Sequence, residues 1–162
     1  MKTPQWRTLF PPNEIHRIQT GSHKYYLNGE WYTKKFYAQE SLAYPEEMKI
    51  ILEDADAEWL TRRLAQDFQI QLDKIKFINH PKHPNADYGR IFHQEHRINL
   101  CHQPSLHLIC HELAHLLDHQ LNGSSRHNKR LWNLIAIIIT HANSHYFHPK
   151  ASYKKEEKED EQ

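Results

Sequence analysis

Residues 105–121 read Ser-Leu-His-Leu-Ile-Cys-His-Glu-Leu-Ala-His-Leu-Leu-Asp-His-Gln-Leu and are followed by Asn122-Gly123. Leu106, Ile109, Leu113, Leu116 and Leu117 recur at spacings of three and four, so the stretch predicts an amphipathic helix with one apolar stripe against a core. Asn122-Gly123 is the stop expected after such a helix. His111 and His115 share one face of it, and both imidazoles can reach a single metal ion. Glu112 projects about 100° around the helix from His111, where it can act on a water beside the metal without ligating the metal itself. Two imidazole ligands and a general base from one helical turn form the arrangement of metal-assisted hydrolysis.

The chain carries 15 His in 162 residues, so this spacing alone says less than it would in an average composition. The amphipathic context therefore carries the argument. His107 and His119 continue the same four-residue row, but only the 111/115 pair has Glu directly after its first member.

Composition places the rest. A chain of this length, 38% hydrophobic and 25% charged, suits one soluble domain with a real core. The formal charge of +1 gives no global bias towards nucleic acid or membrane. Cys101 and Cys110 are too few for a secreted disulfide framework, and Cys110 reads as a small buried residue. The N-terminal residues have no apolar run resembling a signal peptide, and residues 134–139, Leu-Ile-Ala-Ile-Ile-Ile, are too few to span a bilayer. A cytoplasmic protein without membrane attachment is expected.

Along the chain, Asn28-Gly29 between Tyr25-Tyr26-Leu27 and Glu30-Trp31-Tyr32 predicts an N-terminal aromatic β-hairpin, assigned to residues 1–40. Pro45-Glu46-Glu47 opens a helix to about Phe68, with Met48, Ile51, Leu52, Ala55 and Trp59 on one stripe and Leu60, Leu64 and Phe68 drifting to another. Ile75 to Ile78 reads as a short strand, and Tyr88 to Phe92 and Arg97 to Leu100 read as a strand pair leading into the 105–121 helix. An exposed edge strand beside a metal helix could hold an extended peptide. Ser124 or Ser125 is the expected cap of a core helix from near His127 to about Thr140. From Lys150 the chain is rich in Lys, Glu and Asp and reads as a solvated tail over 150–162, leaving 41–149 as the core domain. The fold class expected is α+β, a small mixed or antiparallel sheet packed on helices.

A catalytic zinc site takes three protein ligands and keeps one position open. No Asp or Glu lies between Asp118 and Glu156, which excludes a carboxylate from the following helix. His127, just past the Gly123 turn, is better placed as third ligand than His119, which shares the straight helix with the pair, or the distal His141, His145 and His148. Asp118 suits a hydrogen bond to an imidazole. Tyr146, Tyr88 and His145 are candidates for stabilising a developing oxyanion. Arg126, Lys129 and Arg130 near the site could meet phosphate, though a solvated helix start accounts for them as well.

His111-Glu112-Leu113-Ala114-His115 followed by His127-Asn128-Lys129-Arg130-Leu131-Trp132 resembles the minimal zincin metallopeptidases of the SprT-like group, over about residues 88–140. These pair HExxH with a later His-Gly-x-x-Phe-Trp; Asn128 and Leu131 stand here where the family has Gly and Phe. The four-cysteine zinc ribbon of many bacterial members has no counterpart in a chain with two Cys. The chain is also similar to small zinc metallohydrolases with the same minimal core. The resemblance implies a zincin-like domain, one Zn2+ on His111, His115 and His127, Glu112 as general base, and a protein or peptide substrate. The alternative function is a non-catalytic module that binds protein or nucleic acid around a structural zinc, with a fourth ligand such as His119 or His145 closing the site.

Overall fold

The computed structural model describes residues 33–82 and 88–147. The expected hairpin around Asn28-Gly29, the tail from Lys150 and His148 lie outside the described residues. Among the described residues the fold is α+β: five helices and a small three-stranded mixed sheet. In chain order they are α1 (Thr33–Ala43), α2 (Pro45–Lys49), α3 (Asp54–Asp67), β1 (Lys74–Ile78), β2 (Gly89–Phe92), β3 (Arg97–Cys101), α4 (Leu106–Asn122) and α5 (Lys129–Ala142).

The boundary expected at residue 40 falls inside α1, whose Phe36 is buried in the core. The single helix expected from Pro45 to Phe68 is two helices. Between them the chain pairs with the segment entering α4: Leu106 N–H donates to the Ile50 carbonyl at 2.8 Å and Leu52 N–H to the Pro104 carbonyl at 3.0 Å. Those backbone groups satisfy each other across chains of the fold, which a continuous helix would not allow. The expected stripe breaks with it, since Ile51 and Trp59 are more than half exposed. The buried face of α3 is instead Ala57, Leu60, Thr61, Leu64 and Ala65.

The sheet has the order β1-β3-β2, with β1 parallel and β2 antiparallel to β3. Ile98 and Leu100 of the central strand are fully buried, as alternation on one face requires. β2 is an edge strand that packs on α4.

Helix α4 forms as its sequence dictates. Ser105 caps it, accepting from Leu108 N–H at 3.0 Å, and Gly123, at φ +77°, ends it in the left-handed conformation that glycine adopts without steric cost. Leu106, Ile109, Leu113, Leu116 and Leu117 are all buried. Helix α5, apolar on most of its surface, packs against α4 through the core. Its cap is Asn128, which accepts from Leu131 N–H at 3.2 Å, and not Ser124 or Ser125. Cys101 and Cys110 are free and buried, and burial pushes the Cys110 thiol well above its ordinary range. No helix among the described residues is long and apolar enough to cross a membrane.

Candidate metal centre

His111 and His115 lie one turn apart on α4, and the loop between Gly123 and the start of α5 returns His127 to the same spot. The Nε2 atom of His115 lies 3.2 Å from Nε2 of His111 and 3.2 Å from Nε2 of His127. One nitrogen from each ring falls within 4.8 Å of the others. Tetrahedral zinc with Zn–N of about 2.0–2.1 Å has ligand nitrogens about 3.3–3.4 Å apart, so two edges of the cluster already have the right length. The donor set, three borderline-soft imidazoles, fits zinc better than the hard cations that prefer oxygen.

The far side of each ring on α4 is held. His111 Nδ1 lies 2.8 Å from Glu40 Oε2, and His115 Nδ1 lies 2.7 Å from Ser125 Oγ. These contacts turn both Nε2 atoms inward. Aromatic rings complete the wall: Phe36 sets its edge against His111 and His127, and Tyr37 stacks on His111 with ring centres 5.7 Å apart. His111 is buried, whereas His115 and His127 are half-buried and Tyr37 is exposed.

Burial and the neighbouring rings of His111 and His127 push His115 down to about 2, so it is a neutral imidazole able to donate a lone pair. Burial alone would lower His111 too, but the hydrogen bond and charge of Glu40 outweigh it and hold the ring above its ordinary value. Burial raises Glu40, and the donors His107 and His111 overcome it, holding the carboxyl at about 2.

Glu112 is 7% exposed and lies against β2. A methyl group at Gly89 would sit 2.9 Å from its Cγ and 3.2 Å from its Oε1, closer than carbon atoms tolerate. The glycine lets the edge strand approach the acid directly, which ties the position of Glu112 to β2.

Other expected site residues lie elsewhere. His119 stacks face to face on His93 with centres 4.3 Å apart, and His145 lies against His141. Among the described residues Asp118 makes no hydrogen bond to an imidazole; its Oδ1 accepts from Arg130 Nε at 2.6 Å and from Asn122 at 2.8 Å, because Arg130 returns on the next helix. Tyr146 is taken up by Asp67 and Arg63, and Tyr88 sets its edge against His80. Arg126 and Lys129 are exposed. Sequence reasoning missed Glu40, Tyr37, Ser125 and Gly89. Glu40 and Tyr37 come from a helix assigned in part to the N-terminal extension, and nothing local marks them.

No protein-family model, no curated protein and no solved structure matches this chain. The reading of the site therefore stands on its own geometry.

Proposed function

We propose that the chain is a zinc-dependent metallohydrolase with a minimal zincin-like core, acting on peptide bonds. The observation that carries this is the convergence of three imidazole Nε2 atoms, with Glu112 following the first of them on the helix and its charge acting on that ring. A bound zinc supplies Lewis acidity, polarising a scissile carbonyl and acidifying water. Glu112 is the base that takes the proton of the attacking water and returns it to the leaving amine. The resemblance to SprT-like peptidases assigns the same roles to the same four residues. A structural zinc is less well supported, because of the candidates for a fourth ligand His119 is stacked on His93 and His145 lies against His141.

Peptide is the favoured substrate because β2 is an edge strand whose Gly89 adjoins Glu112. Its outer side, unpaired among the described residues, can take an extended chain by main-chain hydrogen bonds, delivering a peptide carbonyl next to the acid. The test is Glu112→Gln. Zinc content should be unchanged while cleavage of a denatured protein or mixed peptide library falls by on the order of 100- to 10,000-fold. Cleavage at the parent rate would overturn the mechanism.

A further inference from the structure

Glu40 is fully buried, yet neither the motif nor the proposed reaction uses it. It reaches from α1 to two successive members of the histidine row on α4. An ionised carboxylate only accepts, so the two contacts of Oε2 are donations from His107 Nε2–H and, at 2.8 Å, from His111 Nδ1–H. The other oxygen, Oε1, has no hydrogen-bond partner among the described residues. Compensation for burying this charge thus comes through the two imidazoles. A proton kept on Nδ1 leaves the lone pair of the neutral His111 ring on Nε2, the atom that faces the His115 Nε2.

We propose that Glu40 is a positioning residue of the metal centre: it fixes the Nδ1–H form of His111, aims Nε2 at the ion and sets a negative charge behind that ligand. His107, stacked on Tyr44, is the second donor that keeps the carboxylate in place. Helix α1 is then a component of the centre. This rests on His111, His115 and His127 being the zinc ligands. Partners of this kind orient a ligand ring and raise its basicity.

Two measurements on the full chain test it. Imidazole 15N–1H correlation spectra of the metal-free parent, at a pH where the ring is neutral, should show the His111 proton on Nδ1; a proton on Nε2 overturns the proposal. In chelator competition, Glu40→Gln, which keeps the side-chain shape, should bind zinc on the order of 10- to 100-fold more weakly at unchanged stoichiometry. A His107→Gln variant should show a smaller loss. Unchanged affinity in Glu40→Gln overturns the positioning role while leaving the ligand assignment intact, provided His111→Ala abolishes tight binding. A parent that binds no zinc overturns both. Should Glu40→Gln fail to fold, the spectrum of the parent decides alone.

Discussion

Around Glu112 the fit between residues is tight enough to be tested one methyl group at a time. Gly89→Ala places a Cβ 2.9 Å from the Glu112 Cγ and 3.1 Å from the Leu108 Cδ1, so both side chains must shift. If Glu112 is the proposed base, misplacing it by about 1 Å costs about 100-fold. Steady-state assays should show kcat reduced on the order of 10- to 100-fold with zinc stoichiometry of the parent. His127→Ala acts in the opposite way: zinc measured by atomic absorption after dialysis should fall well below that of the parent, since two ligands on one helix remain. At this scale the sequence was legible where spacing is local. The grouping of His111 and His115 follows from helical period, and that of His127 with them from the Gly123 turn. Glu40 was invisible because 71 residues separate it from His111 and no local spacing links the two. Asp118 was misjudged because a buried acid takes the strongest nearby donor, here the guanidinium of Arg130.

Between elements, the caps decide where the ligands sit. Asn128 closes the first turn of α5 and follows His127 directly, so Asn128→Ala should cost about 1 kcal/mol by urea unfolding and also weaken zinc binding. A variant with weakened folding but unaltered zinc affinity would separate the cap from the site. Helix α4 and helix α5 were legible because apolar periodicity, a stop at Gly123 and a long apolar run coincide. The break between α2 and α3 was not, since it depends on backbone pairing of Ile50 and Leu52 with the residues around Pro104, a long-range contact that Pro45 and the acids after it do not reveal. Nor did the two strand signals on either side of the 93–95 turn reveal that β1 would join the pair parallel to β3. Ser125, expected as a cap, serves His115 because Asn128, three residues later, takes that role.

Over the whole molecule, buried ionisable groups make stability depend on pH with a definite sign. His115 is held far below the ordinary imidazole value of 6.5, and His119 and His141 are lowered too, all chiefly by burial. These rings stay neutral in the fold while the unfolded chain binds protons, so they make the metal-free protein lose stability as pH falls below about 6.5, whereas His111, held above its ordinary value, contributes in the opposite sense. Glu40 adds a second acid limb: its contribution is complete above its ordinary value of 4.5 and is lost as pH falls towards about 2. Urea midpoints measured from pH 7 downward should therefore drop, and Glu40→Gln should flatten the part below 4.5. Zinc couples to the same equilibrium, because an ion that binds only the folded chain stabilises it by about 2.7 kcal/mol at a hundredfold excess over Kd. A rise in Tm with zinc, reversed by chelator and absent in His115→Ala, is expected from calorimetry.

X-ray absorption at the zinc edge, on the full chain reconstituted with one equivalent of the metal, tests the centre most directly. Stoichiometric uptake is expected, with three imidazole nitrogens at about 2.0–2.1 Å and one further light-atom donor. Failure to retain zinc, or a first shell without imidazole scattering, would contradict the proposed centre.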